Sequence, residues 1–221
     1  MRGGGIDFLG LRYVSLRMVS EHLVPELNNV TRDVGTFFLG TWLPWKFERI
    51  TNQRTYTEEN FQQIQERMEV ALGLAMHEPH EATKDYGTTR NRVGVTQKIT
   101  LPTQLTFKNA GRTKQNSLYA PAIYGPSLRA LHLVKSYSVY GEKQKHLRIN
   151  SPCDDSGTDV IAQAVDEALK ATSSYDRLIG LTPSNFTTSD VKELAENGLD
   201  PSVFRSEDFA DAWQCFQEKL L

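Results

Sequence analysis

The spacing of apolar residues switches twice along this chain, and the switch excludes both an all-helical bundle and an all-β sandwich. Up to residue 85 the apolar positions recur at helical spacing; Val93, Val95, Ile99, Leu101, Leu105 and Phe107 then alternate with polar neighbours; past Ser151 the helical spacing returns. A period near 3.6 buries one face of a helix, whereas a period of 2 buries one face of a strand. The expected fold class is therefore α+β and mostly α-helical. It divides into an N-terminal helical layer over 1–85, a basic module with a β-hairpin over 86–150 and an acidic helical region over 151–221.

Local signals place the elements. Leu11, Val14, Met18 and Leu23 predict a helix halted by Pro25. A second runs from Val30 to Ile50, with Phe37, Phe38, Trp42, Trp45 and Phe47 covering too much of its circumference for a surface helix, so it belongs in a core or in a partner interface. Pro44 is expected to bend or break it. A third is capped by Thr57, carries Glu58 and Glu59 in its first turn, presents Phe61, Ile64, Met68, Leu72 and Ala75 as one stripe, and ends before Pro79.

The middle reads as one or two strands interrupted by Pro102, a turn at Asn109 to Arg112, and two short helices between Ser117 and Val134. A hairpin follows, from Leu133 to Val139 and back from Lys145 to Ile149. Asp154 and Asp155 sit in a turn-rich boundary, Ser151 to Gly157, and read as a helix-capping turn. Beyond it, helices are expected near 158–172, 189–197 and 206–220, with Asp190 and Glu193 as a capping pair and Gly198 as a C-cap.

Charge is segregated in the same three blocks. Residues 86–149 hold eleven Lys/Arg against one Asp/Glu, whereas residues 150–221 hold five against fourteen. From Tyr86 to Gly141 there is no carboxylate. Arg90, Arg92, Lys108, Arg112, Lys114, Arg129, Lys135, Lys143, Lys145 and Arg148 are the candidate phosphate contacts if the partner is double-stranded DNA. Short helices followed by a hairpin are the order of a winged-helix module, in which the hairpin touches the DNA backbone. The competing reading is that the basic block packs on the acidic block behind it and the fold neutralises itself.

Candidate chemistry is sparse. His77 and His80 flank Pro79 without a third ligand, and Asp154, Asp155 and Asp159 lack the order of a calcium loop. Cys153 stands beside two acids, which raise a thiol pKa, and Cys215 sits in an apolar helix. With no carboxylate in the basic block, a magnesium-dependent nuclease centred there is excluded. No catalytic residue, cofactor or metal is implied. No apolar run approaches the roughly 20 residues of a membrane span, no signal-peptide pattern follows Met1, and two cysteines suit a reducing compartment, so the expected location is cytoplasmic. The last helix carries Phe209, Trp213, Phe216 and Leu220 as an apolar stripe reaching the terminal residues, a candidate protein interface.

Two blocks carry a family resemblance. Leu23-Val24-Pro25-Glu26-Leu27-Asn28-Asn29-Val30-Thr31-Arg32, followed by Phe37-Phe38-Leu39 and Trp42, resembles a segment near the start of poorly characterised bacterial proteins found in antiphage defence loci. Tyr124-Gly125-Pro126-Ser127-Leu128, with Leu131 and Leu133, is similar to a later block of the same family. Glu26 stands where that family usually has Gly, and Gly35-Thr36 where an Arg-Tyr pair is common. The resemblance implies an accessory subunit of a defence complex, working beside protein subunits such as a nuclease or an ATPase; it names no active site.

Overall fold

The computed structural model describes residues 35–50, 58–75, 85–86, 99–113, 117–119, 124–140, 146–200 and 203–219, with backbone alone for 58, 85–86, 136–140 and 146–151. The helix expected before Pro25, the Thr57 cap, His77, Pro79 and His80 lie outside the described residues. Within them the chain is α+β and mostly helical. The helices are α1 (Gly35–Ile50), α2 (Glu58–Ala75), α3 (Gly125–Ala130), α4 (Ser156–Lys170), α5 (Tyr175–Ile179), α6 (Thr188–Leu194) and α7 (Ala210–Glu218). The strands are β1 (Asp85–Tyr86), β2 (Ile99–Thr100), β3 (Thr103–Gln104), β4 (Val134–Tyr140), β5 (His146–Pro152) and β6 (Asn185–Phe186), in three antiparallel pairs, β1 with β2, β3 with β6, and β4 with β5.

Helix α1 is the axis of the core. Of its sixteen residues, twelve are buried, among them Phe37, Phe38, Trp42, Trp45 and Phe47, so the aromatic wrap is a core feature. It packs on α4 and α7, with Phe38 5.1 Å from Trp213 and 5.7 Å from Phe216 between ring centroids. Contrary to the expected break, the helix runs through Pro44. Proline has no N–H to donate to the carbonyl four residues back, which here is Gly40. The Tyr119 hydroxyl donates to that carbonyl instead, at 2.7 Å, so the buried acceptor is satisfied. Gly40 also lets α3 close in, because a Cβ there would stand 3.0 Å from both Leu128 methyl carbons.

The α2 stripe falls as its spacing dictates, and burial then spreads beyond it to Val70, Ala71 and Leu74, making α2 an interior helix over its second half. Pro102 separates β2 from β3, which pair with different partners. Gly111 closes the expected turn with φ 65°, a left-handed conformation natural to glycine. Between Ser117 and Val134 the described helix is α3 alone, with Ser117 to Tyr119 forming a turn rather than a helix. The hairpin runs in register from Val134 opposite Pro152 to Tyr140 opposite His146. Strand β5 thus takes in Ser151 and Pro152, which the sequence assigned to a boundary turn.

Asp155 caps α4 by accepting from the Thr158 backbone N–H at 2.7 Å. At α6 the capping box is Thr187 with Asp190; Glu193, expected to pair with Asp190, accepts instead from the Ser173 backbone and hydroxyl. After α6 a single π-type turn, Ala195–Leu199, contains Gly198. One core cluster takes buried residues from all three stretches of the sequence, from Phe37 through Leu128 to Phe216. No helix among the described residues is long and apolar enough to cross a membrane.

Candidate functional site

The basic residues meet different fates. Lys108 is exposed on the turn after β3, Arg129 is half-buried on α3, and Lys135 is exposed at the start of β4. Arg148 sits in β5 opposite Ser138. Arg90, Arg92, Lys114, Lys143 and Lys145 lie outside the described residues. Arg112 is enclosed: its side chain is 1% exposed and its Nη2 donates to Glu69 at 2.7 Å, where the carboxylate is fully enclosed as well. A phosphate cannot reach that guanidinium, so Arg112 is corrected to a core residue. The reason is local, since α2 buries an acid that the fold must match with a charge.

The aromatic stripe of α7 faces inward. Phe209 and Phe216 are buried, Phe209 lies 4.9 Å from the Phe204 ring, and Trp213 is half-buried with its indole N–H donated to the Phe204 carbonyl. Leu220 lies outside the described residues. Trp213 and Phe216 thus pack on Phe38 of α1, and Phe209 on Phe204.

Where the acids of the C-terminal region find their cations decides how the charge blocks are used. Lys46 on α1 reaches Asp166 at 3.2 Å and Arg49 reaches Asp159 at 3.1 Å. Lys170, Arg177, Lys192 and Lys219, all from the C-terminal region itself, pair with Asp166, Asp190, Glu196 and Asp155. Among the described residues, the one ion pair from the basic block to these acids is Lys135 with Asp154, and both partners are exposed.

That pair stands at the mouth of a cleft of about 470 Å³ between the end of α1, the base of the hairpin and the start of α4, lined in part by Glu48, Arg49, Cys153, Asp154, Asp155 and Asp159. Burial pushes the Glu48 carboxyl up, against the pull of Lys135. Asp155 is held below the usual carboxylate range despite its desolvation, because Thr158 and Lys219 donate to it. Burial, then the charge of Asp155, pushes the Cys153 thiol up, leaving it protonated and a poor nucleophile. Among the described residues no group of three or more His, Cys, Asp or Glu side chains is arranged to hold a metal ion. The cleft is therefore ionic but built from caps and salt bridges.

The sequence missed a buried polar centre on α4. Asp166, on α4, is 2% exposed and accepts from Trp42 Nε1 at 3.0 Å, from the Tyr175 hydroxyl, and from Lys46 and Lys170. Desolvation opposes its charge, yet these four donors hold its carboxyl below the ordinary value, while burial and the same contact raise the Tyr175 phenol far above its own. A buried acid one turn before Lys170 is the one available signal, and it does not reveal Trp42. Comparison with protein-family models, with curated proteins and with solved structures finds no match.

Proposed function

We propose that the chain is a non-enzymatic accessory subunit that contacts double-stranded DNA through its basic middle block and works within a multi-protein assembly. The observation that carries this reading is the charge distribution, with eleven Lys/Arg against one Asp/Glu over residues 86–149 and an exposed Lys108 and Lys135 among the described residues. A carboxylate-free, strongly cationic stretch suits a polyanion.

In this reading the hairpin acts as the wing, carrying Lys143, Lys145 and Arg148, and Lys108 and Arg129 extend the contact surface. Helix α3 is a poor groove reader: it has six residues, with Ser127 and Leu128 buried. Contacts then fall on phosphates, and binding is weakly dependent on sequence. The resemblance of residues 23–42 and 124–133 supports a bacterial antiphage defence setting, with a nuclease or an ATPase as the protein partner. A stand-alone winged-helix regulator is the second reading, favoured by the order of α3 and the hairpin.

The test is duplex binding against salt. Reversing Lys108, Arg129, Lys143, Lys145 and Arg148 to Glu should abolish binding, and each lost phosphate contact should flatten the slope of log K against log salt by about 0.9. Binding that ignores salt, or survives the reversals, would refute the DNA contact. Recovery of the same protein partners from the native host after nuclease treatment separates a subunit from a lone regulator.

A further inference from the structure

Among the described residues, Arg67 is buried without a counter-charge. It sits in the interior half of α2, 5% exposed, and its Nη1 donates to the carbonyls of Arg177 at 2.9 Å, Leu178 at 3.2 Å and Gly180. These carbonyls close the end of α5, where the helix leaves its last acceptors without internal partners. Gly180 is required there, since a Cβ would stand 2.8 Å from the Asp176 carbonyl oxygen. Carbonyls are dipoles and leave the guanidinium its full charge. No carboxylate among the described residues lies within ion-pair distance of it. Its Nε and Nη2 make no hydrogen bond among them either, although burial without a compensating charge is costly.

The same side chain lines a cavity of about 190 Å³ between α2, β3 and the segment before β6. The other polar groups at its wall are Gln63, Gln104, Thr106 and Ser184, all neutral, and Glu66. Glu66 is committed elsewhere: Oε1 accepts from Gln62 and Oε2 from the Phe107 backbone N–H at 3.1 Å. The amides of Gln63 and Gln104 make no hydrogen bond among the described residues. A volume of this size holds roughly six waters' worth of liquid.

We propose that this cavity binds a small monocarboxylate, held by the unused edge of the Arg67 guanidinium and oriented by the neighbouring amides and hydroxyls. A planar carboxylate matches the two-donor fork of arginine. One cation beside the already negative Glu66 suits a single negative charge better than the two of a phosphate. The site uses none of the cations proposed for the DNA contact and stands whether or not the chain binds DNA.

The experiment follows the arginine Nε–H resonances of the whole chain by ¹⁵N-resolved NMR during titration with acetate, glycolate and inorganic phosphate, with ionic strength held constant by chloride. Acetate or glycolate should shift the Arg67 resonance saturably in the low-millimolar range, with phosphate weaker. Gln104→Leu, which leaves Arg67 and the end of α5 in place, should weaken carboxylate binding by about tenfold. Read from the side-chain amide resonances of Gln63 and Gln104, Arg67→Met should abolish it, and if that variant fails to fold the Gln104 variant decides. Absence of a saturable shift, an equal response to chloride or phosphate, or unchanged binding in Gln104→Leu would each overturn the proposal.

Discussion

Two of the buried carboxylates, Glu69 and Asp166, solve the same electrostatic problem in opposite ways. Glu69 on α2 is fully enclosed and faces one cation, Arg112, with further donors from Gln65 and the Leu118 backbone N–H at 2.9 Å. Burial wins there and pushes its carboxyl up. Asp166 on α4 is almost as enclosed but meets two lysines, an indole and a phenol, and its carboxyl falls below the ordinary value. The difference lies in solvent access for the cations. Lys170 is 54% exposed and keeps much of its hydration while it reaches inward, whereas the Arg112 guanidinium is stripped of water along with its partner. A buried acid is comfortable when its counter-charge stays wet.

The comparison is open to direct attack. The largest effect is expected where Asp166 meets the aromatic core: Trp42→Ala removes a fully buried indole together with a donor to that carboxylate, and should cost about 3–5 kcal/mol in denaturant unfolding. Arg112→Met should cost a similar or slightly smaller amount, about 3–4 kcal/mol, because it leaves the enclosed Glu69 carboxylate without its cation. The double replacement Glu69→Leu with Arg112→Met should recover most of that loss. A double variant as unstable as the single one would show that shape, rather than charge, governs the site.

Asp166→Asn keeps the indole acceptor but loses both lysines, and about 2 kcal/mol is expected. Acid titration sharpens the contrast. An acid whose folded pKa is depressed contributes stability above its unfolded value, near pH 4, and loses it as the pH falls further. Asp166→Asn should therefore flatten the acid limb of the stability curve. Glu69, pushed up, takes its proton sooner in the folded state than in the unfolded one, so it softens acid unfolding, and Glu69→Gln should steepen that limb.

Smaller effects test the periphery. Tyr119→Phe leaves the Gly40 carbonyl without its donor beside Pro44 and should cost about 1–2 kcal/mol by thermal unfolding. Lys135→Ala removes the exposed pair with Asp154, and less than about 1 kcal/mol is expected. A large loss at Lys135 would mean that the basic and acidic blocks are coupled far more strongly than their one described ion pair suggests.

Much of the scaffold was legible in the sequence because the forces that set it are short-range. The α2 stripe at Phe61, Ile64 and Met68, the Asp155 cap and the position of the hairpin all depend on residues within a few positions or on one alternating pattern. The capping box moved from Asp190 with Glu193 to Thr187 with Asp190 because Glu193 found donors in the turn at Ser173, which no local pattern announces. The short helix α5 was missed for the same reason: its five residues are too few to show a period, and its closing carbonyls are held by Arg67 from a distant helix.

The sequence by itself determined the α+β class, the presence of the longer helices, the position of the hairpin and the division of charge into blocks. Only tertiary packing decided which charges are spent. Trp42 reaches Asp166 across 124 positions and Tyr119 reaches Gly40 across 79. Arg112 was one cation among many in a basic run until α2 enclosed it, and the α7 stripe was an open apolar face until α1 covered it. The energy of a charge or a ring depends on how much water its neighbours exclude. Those neighbours are brought together by the fold, so a carboxylate's partner is set by segments that the local sequence around it does not contain.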